Sequence, residues 1–87
     1  MMKPIKLSVT KNGILVVRID NNILPIRLIR LEKDRALIIT DTMKFYISLA
    51  ELKNYIIGIR YLPMDVKNKV YHNYPYLIKL AEDLGIV

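Results

Sequence analysis

Polar and apolar residues alternate along the first half of the chain, and this alternation predicts an antiparallel sheet. Residues 4–11 alternate strictly, as in a strand with one buried face. Asn12 and Gly13 then favour a type I′ turn, because both residue types accept positive φ angles. Apolar runs separated by turn residues predict four further strands, at 14–19, 23–33, 36–40 and 43–48. Pro25 has no N–H for a ladder, so the third strand must lie at an edge there or contain a bulge.

The periodicity changes at Ser48, where the sequence predicts the start of a helix. Ser48 and Glu51 have the spacing of a capping box, in which each side chain accepts a hydrogen bond from the other residue's backbone amide. Apolar residues then recur at helical spacing, at Leu49, Leu52, Ile56 and Ile59. This stripe predicts that the helix packs against the sheet.

Two shorter helices are predicted after the first. Asp65 can cap one of them, and Asn73 is placed as the N-cap of the other, with Pro75 in its first turn and Gly85 as a left-handed C-cap. A chain of 87 residues supports one core, so residues 1–87 are expected to form a single domain. The predicted fold is α+β: an antiparallel meander of about five strands, curled toward a barrel and followed by two or three helices.

The chain is basic, with a net charge of +6 from 14 Lys and Arg against 8 Asp and Glu. Such a surplus favours polyanionic partners, nucleic acid before an anionic membrane surface. Six of the cations precede residue 32 and are opposed there only by Asp20: Lys3, Lys6, Lys11, Arg18, Arg27 and Arg30. A binding function that depends on this charge is therefore expected on the sheet.

Composition argues against several other classes of protein. Without cysteine there is no disulfide or thiolate nucleophile, and the single His72 has no second His or Cys with which to hold zinc. The apolar runs are far shorter than the ~20 residues that span a bilayer, and residues 1–4 lack the apolar core of a signal peptide. We therefore expect a cytoplasmic protein with no cofactor, metal or membrane partner. The absence of Gln beside abundant Ile, Lys and Tyr is typical of a thermophilic source.

No set of residues in the sequence forms a catalytic pattern. Four carboxylates fall at predicted turns or strand ends, where they need no catalytic explanation: Asp20, Glu32, Asp34 and Asp41. His72 stands alone near a predicted helix end, which is typical of a cap or surface residue. The glycines at positions 13, 58 and 85 are too far apart for a phosphate-binding loop. The chain is therefore predicted not to be an enzyme.

The polar side of the predicted sheet carries the candidate binding residues. Alternation places cations, hydroxyls and one aromatic ring there, opposite the apolar side. The candidate contacts for nucleic acid are Lys6, Arg18, Arg27, Arg30, Lys44 and Tyr46. Proteins that bind single strands use cations along the phosphates and rings stacked on bases. The alternative is an ordinary solvated face, because Lys is also common where a sheet edge must not aggregate.

The residues from Lys44 to Leu49 form a predicted basic strand that enters a Ser-capped helix, which continues with Leu52, Tyr55 and Ile56. In this feature the chain resembles the positive cofactor four family of transcriptional coactivators, over about half of its length. The resemblance implies a strongly bent four-stranded antiparallel sheet followed by a helix, a homodimer, and single-stranded DNA bound on the sheet. The segment after residue 60 has no counterpart in that family.

Five tyrosines in the C-terminal part have two interpretations: Tyr55, Tyr61, Tyr71, Tyr74 and Tyr76. Tyrosine is enriched at protein interfaces, but it also fills cores. Two functions are therefore carried forward. The first is a small, homodimeric protein that binds single-stranded DNA or RNA on the basic face of its sheet. The second is a structural or regulatory protein-protein interaction module, homo-oligomeric and without nucleic-acid contact.

Overall fold

The computed structural model describes residues 5–86, which form five strands and three helices. The strands are β1 (Ile5–Val9), β2 (Leu15–Ile19), β3 (Asn22–Leu31), β4 (Arg35–Thr40) and β5 (Lys44–Ser48). The helices are α1 (Leu49–Arg60), α2 (Met64–Asn73) and α3 (Leu77–Asp83). Each strand pairs antiparallel with the next, in the order β1-β2-β3-β4-β5. The sheet curls into an open half-barrel, which confirms the predicted α+β class and the five-strand meander.

β3 changes its partner halfway along, at Pro25. Its first half pairs with β2 as far as the Val16–Pro25 pair, and its second half pairs with β4 from Ile26 onward. Proline has no N–H with which to continue a ladder. The register with β4 shifts between Ile26 and Leu28, which confirms the bulge. From Ile26 onward, β3 therefore no longer pairs with β2. We call the gap that opens there between the two strands the split.

Two tyrosine hydroxyls from the segment between α2 and α3 bind the backbone groups exposed at the split. The Tyr74 hydroxyl donates to the carbonyl oxygen of Ile26 (2.9 Å) and accepts from the amide of Leu15 (3.1 Å). The Tyr76 hydroxyl accepts from the amide of Ile29 at 3.1 Å. The two rings meet edge to face, with centroids 6.2 Å apart. Both tyrosines therefore complete the hydrogen bonding of the sheet from the side of the helices.

Burial changes the acidity of these tyrosines. It raises the pKa of Tyr76 to about 12 and is the main cause of the raised pKa of Tyr74. The pKa of Tyr55 is also raised, again mainly by burial, and its hydroxyl donates to the carbonyl oxygen of Ser8. Tyr61, by contrast, is 84% exposed. Core packing thus accounts for four of the five C-terminal tyrosines, since Tyr71 also packs against the core, whereas Tyr61 lies on the surface.

The first hairpin differs from the predicted type I′ turn at Asn12 and Gly13. The Gly13 amide donates to the carbonyl of Thr10, and Gly13, at φ 77°, has a positive φ whereas Asn12 does not. The loop is therefore the three-residue type, with glycine in the bulge position. Glycine is also required for space, because a Cβ at Gly13 would lie 2.6 Å from the Cβ of Lys69 in α2.

The capping box at the start of α1 is confirmed. The Ser48 hydroxyl accepts from the Glu51 amide at 3.1 Å, and the Glu51 carboxylate accepts from the Ser48 amide at 3.4 Å. The left-handed C-cap is confirmed as well, since Gly85 has a φ of 77° and the amide of Ile86 donates to the carbonyl of Ala81. Both motifs depend on residues that are close in the chain.

The two other predicted caps are wrong. α2 begins after Pro63 with no side-chain cap, so Asp65 lies inside its first turn. Asn73 is the last residue of α2, and its side-chain amide donates to the carbonyls of Asn12 and Gly13, each at 3.1 Å. The side chain is thus used to hold the first hairpin against the helices, and α3 begins at Leu77 with no side-chain cap.

The core lies between one face of the sheet and the three helices. We call the face toward the helices the inner face and the opposite one the outer face. The inner face and the helices contribute the most deeply buried side chains: Leu15, Val17, Ile26, Ile38, Leu52, Ile56, Ile59, Val70 and Leu77. No helix within residues 5–86 has both the length and the apolar character needed to cross a membrane.

Candidate nucleic-acid interface

All six candidate contacts lie on the outer face of the sheet, at exposed positions. The register places Lys6 directly opposite Arg18, and Arg30 and Tyr46 on the two sides of Leu37. Lys44 pairs with Ile39, which lies two residues along β4 from Leu37 and on the same face of the sheet. The remaining candidate, Arg27, reaches this face through the bulge. The face therefore gathers side chains from four of the strands: β1, β2, β3 and β5.

The bulge determines where Arg27 points. Arg27 and Leu28 are both exposed, although Ile26 before them and Ile29 after them are buried. An extra residue in a strand lets two successive side chains reach the same side of the sheet. The guanidinium of Arg27 is bound there by Asp41, with Nε 2.5 Å from Oδ1. Its charge is partly neutralised, so Arg27 is less available to a phosphate than the other cations.

Lys6 and Arg18 form a pair of like charges across β1 and β2. They are direct partners in the register, where facing side chains have Cβ atoms about 5 Å apart and like charges destabilise the sheet. Within the described part of the chain, neither side chain forms an ion pair with a carboxylate. A bound phosphate would remove this repulsion.

Tyr46 lies beneath a cation that the sequence analysis did not select. The guanidinium carbon of Arg35 is 3.6 Å from the centroid of the Tyr46 ring, a cation–π contact. Glu32 binds both partners, since its carboxylate accepts from Arg35 Nε at 3.3 Å and from the Tyr46 hydroxyl at 3.4 Å. Tyr46 nevertheless remains 46% exposed. The aromatic element of this face is thus a stacked pair of a ring and a guanidinium plane.

Arg35 is absent from the predicted contacts because the predicted fourth strand begins only at residue 36. The structure begins β4 at Arg35, directly opposite Ser48. Since alternate residues of a strand share a face, Arg35 lies on the same side as Leu37, and therefore as Tyr46. Extending the predicted strand by one residue would have found it.

An apolar strip, which strand alternation in the sequence does not indicate, crosses the middle of the outer face. Its members are Val16, Ile23, Pro25, Leu28, Leu37 and Ile39. Ile23 is 54% exposed and Leu28 is 38% exposed. The bulge moves Leu28 to this face, and β4 is apolar on both faces, so simple alternation did not find the strip. The cations lie on both sides of an apolar centre instead of forming a single row.

Positive charge is concentrated in the sheet. Residues 5–48 contain eight Lys and Arg against four acids, whereas residues 49–86 contain five against four. Two of the four acids of the first segment, Glu32 and Asp41, lie beside Arg35 and Arg27. The segment that forms the sheet and its turns therefore carries a net charge of +4, whereas the helical segment carries +1.

The carboxylates and the single histidine do not converge on a common site. Residues 5–86 contain no group of three or more His, Asp or Glu side chains that would hold a metal ion. Asp20 lies in the turn between β2 and β3 with a left-handed φ of 55°, a conformation that Asp tolerates.

Comparison with known proteins finds no match to a family model, a curated protein or a solved structure. The resemblance to the positive cofactor four family accordingly stays a prediction. Any functional conclusion depends on the geometry of the outer face.

Proposed function

We propose that this protein binds single-stranded DNA or RNA across the outer face of its sheet. The observation that carries the proposal is the placement of six cations around one apolar centre and one stacked aromatic ring: Lys6, Arg18, Arg27, Arg30, Arg35 and Lys44. The like-charge pair of Lys6 and Arg18 supports the proposal further. Repulsion between the two side chains destabilises the sheet, and a bound phosphate would neutralise that repulsion.

The two kinds of group on this face match the two parts of a single strand. Cations on both sides of the apolar strip would bind successive phosphates, and the exposed apolar residues and the Arg35–Tyr46 pair would contact the bases. Guanidinium planes and aromatic rings both stack on bases without preference for sequence. The expected binding is therefore salt-dependent and tolerant of sequence, and its ligand class agrees with the resemblance to the positive cofactor four family.

The direct test is a titration of a fluorescent single-stranded oligonucleotide at several salt concentrations. The key variant removes three unpaired outer-face cations: Lys6→Gln, Arg18→Gln and Arg30→Gln. We expect its affinity to fall about tenfold or more at low salt. We also expect the slope of log affinity against log salt to become shallower by about 2, since each lost phosphate contact on a single strand contributes roughly 0.7.

The matched control removes three cations from the helices: Lys53→Gln, Lys69→Gln and Lys79→Gln. It has the same net charge as the outer-face variant, so it isolates position from total charge. We expect this control to bind nearly as tightly as the unmodified protein. Equal losses in both variants, or no binding by the unmodified protein at micromolar concentration and low salt, would refute the proposal.

A protein-protein interaction module remains the second candidate, favoured by the exposed members of the apolar strip, Ile23, Pro25 and Leu28. Side chains such as Ile23 and Leu28 are unusual on a solvated face and common at the centre of an interface. Substituting both with Thr separates the candidates. A loss of self-association in a protein that binds no oligonucleotide would favour the interaction module, whereas a loss of oligonucleotide binding with self-association retained would favour binding of bases to the strip.

A further inference from the structure

A groove of about 510 Å³ runs between β1 and α1, along the edge of the sheet. One wall is β1 along its whole length. The other wall is one side of α1, formed by Glu51, Asn54, Tyr55, Gly58 and Leu62. Because residues from both faces of β1 line this space, it follows the edge of the strand. We call it the β1–α1 groove.

The wall formed by β1 presents unpaired backbone groups. The Thr10 amide donates to the carbonyl of Ile14, and hydrogen-bonded pairs alternate along an antiparallel ladder. Ile5, Leu7 and Val9 therefore direct their N–H and C=O groups away from β2. In the part of the chain that the structure describes, no strand pairs with β1 on that side. The groove thus contains a free sheet edge.

The wall formed by α1 is open because of Gly58. Apart from its chain neighbours and the backbone of α1 itself, no atom of the described residues lies within 4 Å of the position that a Cβ of Gly58 would occupy. A glycine inside a helix is less favourable than alanine, so this residue lowers the stability of α1 without improving a contact within the described chain. Its effect is to leave room beside the edge of β1.

β1 lacks the features that usually prevent an edge strand from pairing. It contains neither a proline nor a bulge, and Lys6 is its only charged residue. On its inner side, Ile5 remains 39% exposed. The edge is therefore suited to accept another strand, and an apolar side chain already faces the space that such a strand would enter.

We propose that a second copy of this chain fills the groove by pairing its β1 antiparallel with this β1. If Leu7 of both copies lies at the centre, Ile5 faces Val9 of the second copy, and Lys6 faces Ser8. All facing pairs on the inner side are then apolar, and no like charges oppose each other. The strand is thus complementary to itself, as a two-fold interface requires. This match is the reason to assign the groove to a second copy.

The pairing has a consequence for the outer faces. The two-fold axis that relates a pair of antiparallel strands is perpendicular to the sheet, so both outer faces lie on the same side of one ten-stranded sheet. Lys6 and Arg18 of each copy would flank the junction. The pairing itself does not depend on nucleic-acid binding, but the longer basic surface that it creates rests on the proposed function.

Sedimentation equilibrium over a wide range of protein concentration tests the dimer. We expect the mass to approach twice the chain mass of 10.2 kDa, with a midpoint that Gly58→Gln shifts to at least about tenfold higher concentration. Gln favours the helix more than Gly does, so α1 stays folded while the side chain enters the groove. Gly58→Ala is the matched control, since it gives the same helix benefit with little added volume.

Hydrogen exchange identifies the surface that pairs. The amides of Leu7 and Val9 are expected to become protected as the dimer forms, and to stay unprotected in Gly58→Gln. A monomer at all concentrations overturns the proposal. So does a dimer that Gly58→Gln leaves intact, or protection of these amides at monomer mass, which would mean that the same chain covers the edge.

The oligonucleotide titration of the monomeric Gly58→Gln variant keeps the two proposals separable. Retained binding supports an outer face that works in a single copy, even if the dimer proposal fails. Lost binding by a folded Gly58→Gln monomer would show that the proposed function needs both copies.

Discussion

Tyrosine has opposite roles on the two faces of this sheet. On the inner side, the hydroxyls of Tyr74 and Tyr76 bind backbone groups of Leu15, Ile26 and Ile29. On the outer side, the ring of Tyr46 is exposed beneath a guanidinium. The difference arises because β3 changes partner at Pro25. Backbone amides and carbonyls at that point have no strand partner, and the tyrosine hydroxyls on the inner side supply their hydrogen bonds. The tyrosine hydroxyls near the split are structural, whereas the ring of Tyr46, on an intact ladder, stays 46% exposed on the outer face.

The two faces should therefore respond differently to substitution. Changes on the inner face are expected to alter the free energy of unfolding and leave ligand affinity unchanged while the protein is folded. Changes on the outer face are expected to alter affinity with little effect on unfolding. The experiments below measure the free energy of unfolding, the affinity or both, so that either expectation can fail.

The largest effect is expected from Tyr74→Phe. The substitution keeps the buried ring but leaves the Leu15 amide and the Ile26 carbonyl without their partner. Each unpaired buried group costs about 1–3 kcal/mol, so we expect the free energy of unfolding in urea to fall by roughly 2–4 kcal/mol. Oligonucleotide affinity of the folded variant should not change.

Tyr61→Phe is the matched control, because its ring is 84% exposed and the same atom is removed. Its effect on unfolding should be close to zero. If Tyr74→Phe were as mild as this control, the hydroxyl would not be completing the sheet, and the structural role of the inner tyrosines would be wrong.

Alkaline pH is expected to lower the free energy of unfolding by a smaller amount, through the Tyr76 hydroxyl on the inner side of the sheet. Burial raises the pKa of Tyr76 from 10.0 to about 12, so its contribution to stability is complete below pH 10 and is lost as pH rises through 12. At pH 11 the loss from this residue is about 1 kcal/mol. Urea unfolding of the unmodified protein and of Tyr76→Phe between pH 8 and 11 measures it.

The variant separates Tyr76 from Tyr55 and Tyr74, whose pKa values are also raised by burial. Its stability should fall less steeply with pH than that of the unmodified protein. Parallel pH profiles would mean that the Tyr76 hydroxyl is not held in a buried hydrogen bond.

The inner face also shows the limit of sequence reasoning about the fold. Ser48 and Glu51 are three residues apart, so their capping box is visible in the sequence, as is the strand alternation. The contact between Tyr74 and Leu15 joins residues 59 positions apart. Nothing local distinguishes Tyr74 from the exposed Tyr61. Asn73 was mistaken for an N-cap for the same reason, since its partners lie in the first hairpin.

On the outer face, alternation was sufficient for the cations but not for the apolar strip. Lys6, Arg18 and Lys44 occupy regular strand positions, and their shared face could be predicted. The face on which Leu28 lies could not be predicted. The sequence indicated either a strand edge or a bulge at Pro25, and the exact position of the bulge decides which side chains after it point outward. The function of this face stays a proposal.

On the outer face, Tyr46→Leu is expected to lower oligonucleotide affinity by about 1 kcal/mol, or roughly fivefold, since stacking contributes about 1–3 kcal/mol per base and Arg35 can still stack. Tyr46→Phe is the control, because it keeps the ring and loses only the hydroxyl contact with Glu32. Fluorescence titration measures both variants. A loss as large in Tyr46→Phe as in Tyr46→Leu would mean that the hydroxyl, and not the ring, contacts the ligand.

The smallest effect, and the one that distinguishes the faces most sharply, is expected from Arg18→Gln. Removing one member of the like-charge pair with Lys6 should raise the free energy of unfolding by a few tenths of a kcal/mol at low salt. The same change should weaken oligonucleotide binding a few-fold, because one phosphate contact is lost. Stability and affinity then change in opposite directions, which is expected where a bound ligand relieves the repulsion between like charges.

Lys53→Gln is the control, because Lys53 is an exposed cation of α1, and this substitution should change neither quantity. If Arg18→Gln lowered stability, the arginine would be stabilising the sheet through its own packing, and the repulsion that motivates a bound phosphate would not exist.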